Sequence, residues 1–387
     1  IELAGGSDTA APAAMPNSGS TAAVPANAGT RPIDAKSIAV LAFDNMSPDK
    51  DNEYFSDGVA EEILNALAKI DDLKVAGRTS SFYFKGRNES LATIGSTLGV
   101  AHVLEGSVRK QGERLRISAK LLRVSDGVEL WADTFDGTDA DIFALQESIA
   151  QQVTGQLKVA LNAGQHGRLV DVGTGDPDAY ALYLRATDVF NRRDSMRYEE
   201  AIAALQQALQ RDPQFARAHS RLATIYFVFA SSLGAGRYAA LVAQAREHAE
   251  QALRLSPELA EPHAVLGVLH QGARRYAEAH KAYERALQLD AADITANFWS
   301  ALLQCTTGHT ARCERGLEKT LEIDPLLPNA LNWRARLLLS AGDLEAAERT
   351  MARARGAGFQ ALWFTGSWIA LKRGDLAGAR TQALDMV

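Results

Sequence analysis

The most regular pattern in the chain is a strict alternation of apolar and polar residues that begins at Arg114. Side chains at every second position of a strand share one face of the sheet. The apolar set is Leu115, Ile117, Ala119 and Leu121, and the polar set is Arg114, Arg116, Ser118 and Lys120. The pattern predicts a half-buried strand. Its neighbours are a predicted strand at 103–108 and, after a hairpin turn at Asp126-Gly127, a strand at 128–132.

Shorter patterns before this hairpin predict a further strand, a helix and a second strand. A β-branched run over 37–43 indicates a buried strand, and 73–76 indicates another. Ser56 or Asp57 is predicted to cap the helix between them, with Glu61 and Glu62 near the positive end of its dipole. The apolar stripe of this helix is Val59, Ile63, Leu64, Leu67 and Ile70.

Two more helices complete a small mixed α/β domain, which we predict over residues 36–163. The first runs from Ser90 to Leu98 and is closed by Gly99. The second is amphipathic and runs from about Asp141 to Leu161. A second short linker is predicted at 164–175.

Residues 176–387 contain a repeated helical pattern. A helix break recurs at Asp176-Pro177, Asp212-Pro213, Ser256-Pro257, Asp290-Ala291 and Asp324-Pro325. Each break is predicted to stop one helix and to place its proline at the first position of the next. The long interval between the second and third breaks indicates an insertion around 231–236. Small residues recur ten positions after the break, at Ala223, Gly267, Ala301 and Ala335, and predict close approach of paired helices.

Composition adds a linker and removes several classes of function. Ala, Gly, Pro, Ser and Thr fill 24 of the first 35 positions, so 1–35 is predicted to be a flexible linker. The net charge is −2 over 1–35, −5 over 36–163 and +1 over 164–387, so we expect no nucleic-acid binding. No stretch approaches 18 consecutive apolar residues. Because the chain begins at Ile1 and ends within a helical pattern, we expect a piece of a larger protein, joined to a membrane only through an anchor outside it.

Side chains that could carry chemistry do not assemble into a recognised catalytic, cofactor or metal motif, and we predict no enzyme active site in this piece. His263 and His270 stand two turns apart on one helix, where packing is the simpler explanation. The run 49–53 is rich in carboxylates but lacks the glycine and terminal glutamate of a calcium loop. Arg114, Arg116 and Lys120 could meet an anionic partner, or could form a solvated strand face.

The two cysteines, Cys305 and Cys313, have seven residues between them. In an oxidising compartment a disulfide between them would close a helical hairpin, whereas in the cytoplasm they would be two buried thiols.

The repeats resemble tetratricopeptide repeats over roughly 176–387, in about six copies with the last incomplete. The best copy carries Gly267, Tyr276, Ala279, Tyr283 and Ala286 in the expected order. The fourth copy departs from the pattern at its two cysteines, and the first is loose in its first helix. The resemblance implies stacked helix pairs with a concave face lined by first helices, and hence an α+β protein whose second part is an all-α solenoid.

The preceding domain resembles the TolB amino-terminal-like family, which is related to the flagellar FlgO domain. The resemblance rests on the segments 37–47, 53–58, 78–82, 98–100, 103–109 and 130–132. It implies the sensory half of a membrane-anchored signalling protein, downstream of a CadC-type winged-helix regulator or a class III adenylate cyclase. It supplies no catalytic residues.

We therefore expect a sensing or docking region at the periplasmic face of the inner membrane, or alternatively in the cytoplasm. Its partner would be a protein or peptide held in the concave face, with no cofactor. The partner-binding residues predicted there are Arg217, Ser220, Thr224, Phe227, Glu261, Gln271, Thr295, Phe298, Asn329, Asn332 and Arg336. Two alternatives are the regulatory half of a class III adenylate cyclase and a non-catalytic envelope or flagellar assembly scaffold, including a homodimerisation unit.

Overall fold

The computed structural model describes residues 33–159, 169–170, 172–232, 235–357 and 363–384. The predicted linker 1–35 lies almost entirely outside these ranges, as does much of the linker 164–175. The predicted fold class is confirmed: a small mixed sheet domain precedes an array of helix pairs.

The sheet of the α/β domain contains six strands. They are β1 (Ser37–Val40), β2 (Asp44–Asn45), β3 (Lys74–Val75), β4 (His102–Gln111), β5 (Arg114–Arg123) and β6 (Glu129–Thr138). The order is β3-β1-β4-β5-β6, with β2 also paired to β4. Pairing is parallel between β1 and its neighbours and antiparallel along β4, β5 and β6. Strand β1 is shorter than the predicted strand over 37–43, and the short strand β2, which was not predicted, follows it.

The predicted alternation in β5 is confirmed, because its apolar set is buried. Leu121 pairs with Leu104 on β4 and with Trp131 on β6, which places the three side chains on one face. Gly127 closes the predicted hairpin turn with a φ of 70°, a conformation that glycine adopts without steric cost.

In the described part of the α/β domain, four α-helices accompany the sheet: α1 (Glu53–Ala68), α2 (Arg78–Phe82), α3 (Leu91–Leu98) and α4 (Ile142–Gln156). The predicted stripe of α1 is buried. The predicted start of α1 is wrong: it begins at Glu53, and Ser56 and Asp57 are buried within it, so Glu61 and Glu62 lie in mid-helix. Helix α3 matches its prediction, and Gly99 ends it with a φ of 67°. Helix α4 ends before Leu161, with Lys158 at a φ of 52°.

Over the described residues from 172 onward, the array consists of twelve α-helices. They are α5 (Pro177–Asn191), α6 (Tyr198–Arg211), α7 (Ala216–Ser232), α8 (Ala235–Leu255), α9 (Ala260–Gly272), α10 (Tyr276–Leu289), α11 (Ile294–Thr306), α12 (Thr310–Ile323), α13 (Pro328–Ser340), α14 (Leu344–Gly356), α15 (Trp363–Lys372) and α16 (Leu376–Leu384). The longer interval in the second repeat lengthens α7 and α8 to 17 and 21 residues. Residues 233–234 of that predicted insertion lie outside the described ranges.

Close approach at the small positions is confirmed. A Cβ added to Gly267 would lie 2.6 Å from Tyr283, and one added to Gly316 would lie 2.7 Å from the Cβ of Ala301. The position predicted for the break prolines is confirmed only at Pro177, which opens α5 after the capping side chain of Asp176. It is wrong at Pro213, Pro257 and Pro325, because these prolines lie in the turns and the next helices begin three residues later.

The buried apolar residues form one large cluster and several smaller ones. One continuous core joins the α/β domain to the first helix pairs, through residues such as Ile63, Tyr180 and Leu184, and reaches Leu269 in α9. The helix pairs from α9 onward have smaller clusters of their own. The α/β domain is therefore packed onto the first repeats, and the later repeats belong to different cores.

Candidate interaction surface of the repeat array

The residues predicted for the concave face differ in accessibility. Ser220, Thr224, Phe298 and Asn332 are buried, and Arg336 is exposed. The other six are partly buried: Arg217, Phe227, Glu261, Gln271, Thr295 and Asn329. A partner could contact the four buried side chains only after a rearrangement of the array.

Glu261 of α9 forms polar contacts with three side chains of α7. It accepts hydrogen bonds from Ser220 Oγ at 2.8 Å and from Thr224 Oγ1 at 2.9 Å, and it lies 3.1 Å from Arg221 Nη1. Burial lowers the pKa of Arg221 while the Glu261 carboxylate raises it, and the net shift is upward. Three predicted partner-binding residues are therefore bonded to one another between adjacent repeats.

Arg217 of α7 is bonded to the α/β domain. Its guanidinium donates to Glu62 of α1 through Nη1 at 2.7 Å and Nη2 at 2.6 Å, a bidentate arrangement. Arg217 Nη2 also donates to Tyr183 Oη at 3.3 Å. The Glu62 side chain is 5% exposed and that of Arg217 17%. Burial lowers the pKa of Arg217, but the Glu62 carboxylate raises it by more, so the resulting pKa lies well above the ordinary value.

Glu61, the neighbour of Glu62, forms a second polar contact between the two parts of the molecule. It accepts from Arg78 Nε of α2 at 2.6 Å and from Asn191 Nδ2 of α5 at 3.1 Å. The adjacent carboxylates of α1 therefore face cations and an amide from three other helices.

The turn between α12 and α13 contacts the start of α2. Asp324, whose exposure is 1%, accepts hydrogen bonds from Ser80 N at 2.8 Å, from Thr79 N at 3.3 Å and from Ser80 Oγ. Ser80 Oγ in turn accepts from Leu326 N at 2.7 Å, and Gly77 N donates to Ile323 O at 2.7 Å. Burial raises the pKa of Asp324, although these donated hydrogen bonds act in the opposite direction.

Other predicted residues contact the array itself. Phe227 of α7 packs edge-on against Trp299 of α11, with ring centroids 5.4 Å apart. Asn332 Oδ1 accepts from Thr365 at 2.8 Å. Gln271 accepts from Tyr283 Oη at 3.2 Å and donates to Thr306 at 3.3 Å.

Three of the residues predicted for this face lie on α11 and α13 and are at least partly exposed. Thr295 and Asn329 are partly exposed there, and the guanidinium of the exposed Arg336 stacks 4.2 Å from the ring centroid of Trp333. A hydroxyl, an amide, a guanidinium and an aromatic ring together can hydrogen-bond and stack against an extended peptide.

Several of the remaining candidates have partners close by in the fold. On the outer strand face Arg116 pairs with Asp136 and Lys120 with Glu105, and Trp131 Nε1 donates to Gln152 at 2.9 Å. Asp49 accepts from Asp51 N at 2.9 Å and caps a short turn before α1. Burial lowers the pKa of both His263 and His270.

Within the described residues no group of three or more His, Cys, Asp or Glu side chains could hold a metal ion. None of the helices in those ranges has both the length and the apolar character of a membrane span. Cys305 of α11 and Cys313 of α12 are joined by a disulfide, with their Cα atoms 5.0 Å apart.

The sequence analysis missed the residues that connect the two parts: Glu61, Glu62, Gly77, Ser80 and Asp324. The adjacent glutamates were interpreted as favourable to the helix dipole, and Asp324-Pro325 as one more helix break. Two adjacent glutamates also fit on the solvent-facing side of an amphipathic helix, so the sequence around Glu61 and Glu62 carries no local signal of these contacts.

Comparisons with known proteins agree with a tetratricopeptide-type array. Residues 193–227 match the family model described as TPR repeat. Over 246 residues the chain is 35% identical to a protein of Rhizobium meliloti (strain 1021) named Putative adenylate cyclase 3, a match that covers 64% of this chain and 42% of that protein. The chain therefore spans less than half the length of this relative.

Three solved structures are similar to about half of this chain, each with a TM-score of 0.40 or less. PilW, described as a type IV pilus biogenesis factor, is 24% identical with a TM-score of 0.40, over 54% of this chain and 91% of that chain. The thermophilic TPR protein TTC0263 of Thermus thermophilus is 18% identical with a TM-score of 0.40, over 52% and 99%. YrrB, described as a TPR protein with an unusual peptide-binding site, is 19% identical with a TM-score of 0.30, over 51% and 92%.

Proposed function

We propose that this chain is the regulatory, protein-interaction region of a signalling protein, and that it holds a protein or peptide partner on its repeat array. The observation that carries the proposal is the packing of the α/β domain on the array through Glu62 and Arg217. Because the two parts share a core and a buried ion pair, a change in the curvature of the array is transmitted to the α/β domain.

The proposed contact surface is the accessible part of the concave face, with Thr295, Asn329 and Arg336 beside Trp333. Its mixture of hydroxyl, amide, guanidinium and aromatic groups suits main-chain hydrogen bonding to an extended peptide with stacking against its side chains. The four buried members of the predicted set support the packing of the array instead.

Site-specific photo-crosslinking in cells tests this surface. A photoreactive residue at Asn329 or Arg336 should yield one discrete crosslinked partner band, and the same residue at the exposed Lys281 of α10 should not. A band of equal intensity from both faces, or none from Asn329 and Arg336, contradicts the proposal.

We further propose that the region is anchored to the inner membrane and faces the periplasm, as in CadC-type regulators. The Cys305–Cys313 disulfide supports this location, since structural disulfides persist in oxidising compartments. Thiol labelling of intact cells tests it: both cysteines should resist alkylation until a reductant is added. Alkylation of both without reductant places the region in a reducing compartment.

A second candidate is the regulatory half of a class III adenylate cyclase. The similarity to the relative named Putative adenylate cyclase 3 favours it. The full gene product discriminates between the two outputs: a cyclase requires metal-binding aspartates in another domain, whereas a winged-helix regulator binds DNA. Cyclic AMP formation by the purified full-length product supports the cyclase, and specific operator binding without it supports the regulator.

A further inference from the structure

The contact between α2 and the α12–α13 turn joins parts of the molecule that belong to different cores. We call it the latch, and define it as Gly77, Thr79 and Ser80 on one side and Ile323, Asp324 and Leu326 on the other. The α/β domain shares its core with the first helix pairs, whereas α12 and α13 belong to a separate cluster. The direct bonds described across the latch are hydrogen bonds.

Asp324 behaves differently from the aspartates at equivalent breaks. Asp212 accepts a hydrogen bond from Gln214 N, and Asp290 from Ala292 N, each at 2.9 Å. Both are local turns in which a side chain bonds the backbone two residues later. In the corresponding turn Leu326 N donates instead to Ser80 Oγ, and the Asp324 carboxylate accepts from α2. The α12–α13 turn therefore bonds to the α/β domain in place of the local hydrogen bond that the other two turns contain.

Gly77 permits these bonds because it has no side chain. Its φ is −62°, which any residue adopts, so backbone conformation does not require glycine here. A Cβ at Gly77 would lie 2.6 Å from the Cβ of Asp324, and this distance is shorter than Cβ atoms adopt in real contacts. The side chain of Asp324 therefore takes the place of a capping side chain at the start of α2, in a gap that only glycine leaves open.

We propose that the latch is a releasable contact that holds the later repeats closed against the α/β domain, and that its opening exposes members of the predicted concave face that are buried in the closed array. Each repeat contacts chiefly its neighbours, so the later pairs can change curvature once the latch is released. Each hydrogen bond contributes little net stability because water replaces it on opening. The consequence for partner access rests on the proposed function; the latch itself can be measured without any partner.

Hydrogen exchange with mass spectrometry on the full chain tests the latch. Gly77→Ala and Asp324→Asn should each accelerate exchange roughly tenfold or more at the amides of Ser80, Ser81 and Leu326. Amides in α1, α5 and β5 should keep their wild-type rates, which also shows that the variants fold. Ser80→Ala, which removes only the bridging hydroxyl, should give a smaller acceleration at the same amides.

Asp290→Asn is the matched control, because its carboxylate occupies the same repeat position and bonds only within its own turn. It should leave exchange in α2 unchanged. The latch proposal is overturned if exchange at Ser80 and Leu326 does not change in Gly77→Ala and Asp324→Asn, or if α1 and α5 accelerate equally, which would make the contact an inseparable part of one core. Failure of the crosslinking experiment above would leave this outcome unaffected.

Discussion

Arg217 on α7 and Glu62 on α1 form a buried bidentate ion pair between the repeat array and the α/β domain, with both N–O distances at or below 2.7 Å. The pair lies 155 residues apart in sequence. Arg217 is one of the residues predicted from the sequence to line the concave face of the array. In this structure its guanidinium is bonded to α1 of the same chain.

Removing one member of this pair is expected to destabilise the protein by about 3–5 kcal/mol, because the other charge stays buried without its oppositely charged partner. Arg217→Met and Glu62→Gln should each lower the denaturant midpoint of the full chain. Arg116→Met is the control, since Arg116 and Asp136 form an exposed pair on the outer strand face and little change is expected there. Equal midpoints for Arg217→Met and the wild type would contradict the prediction.

The close helix contact at Gly267 predicts a paired result for two glycines of α9. Gly267→Ala should destabilise by about 1–3 kcal/mol, since its Cβ would overlap the ring of Tyr283. Gly272→Ala meets nothing closer than Tyr238 Oη at 3.8 Å and should be neutral or stabilising by up to about 1 kcal/mol. Thermal unfolding of both variants measures the difference. The packing account fails if the two substitutions have the same effect.

Asp293, the capping residue of α11, should make the array less stable as the pH rises. Burial, with Asp290 and Glu261 nearby, raises the pKa of its carboxyl to about 7. An acid whose folded pKa exceeds its unfolded value contributes stability below the unfolded pKa, and loses it as the pH passes through the folded pKa. Asp293→Asn keeps a capping side chain and should flatten the fall in stability between about pH 4 and pH 7. An unchanged slope in this variant would contradict the assignment.

The histidine pair between α7 and α8 should act in the opposite direction. His219 Nδ1 and His248 Nδ1 lie 2.8 Å apart, and burial together with His219 lowers the pKa of His248 to about 4. A lowered histidine pKa means that stability is complete above about pH 6.5 and is lost as the pH falls toward about 4. The charged side chains that act on this histidine pair are Glu247 and Arg254. His248→Gln should lose less stability between about pH 7 and pH 5 than the wild type, and an equal loss would count against it.

Sequence patterns captured the local features of this molecule and missed the distant ones. The alternation in β5 and the small residues at Gly267 and Ala301 were predictable because their packing partners recur at fixed spacings. The latch was not, because Ser80 and Asp324 are 244 residues apart and neither has a periodic neighbour. Asp324-Pro325 has the same two residues as Asp212-Pro213, yet only the former turn binds α2.

The predicted concave face shows the same limit. Alignment of the repeats placed Ser220, Thr224 and Glu261 near one face, and they do lie together. The alignment could not show that they bond to one another, or that Arg217 bonds to Glu62, because side chains supplied by another part of the chain leave no mark on the repeat itself. Thr295, Asn329 and Arg336 remain the accessible positions.

The central claim is that the α/β domain is packed on the first repeats of the array through the contact between α1 and α7. A double-mutant cycle on Glu62→Gln and Arg217→Met in the full chain, measured by denaturant unfolding, tests it most directly. Residues in contact should show a coupling free energy of about 1–3 kcal/mol. Strict additivity of the two substitutions, within about 0.5 kcal/mol, would show that α1 and α7 do not meet and would contradict the account.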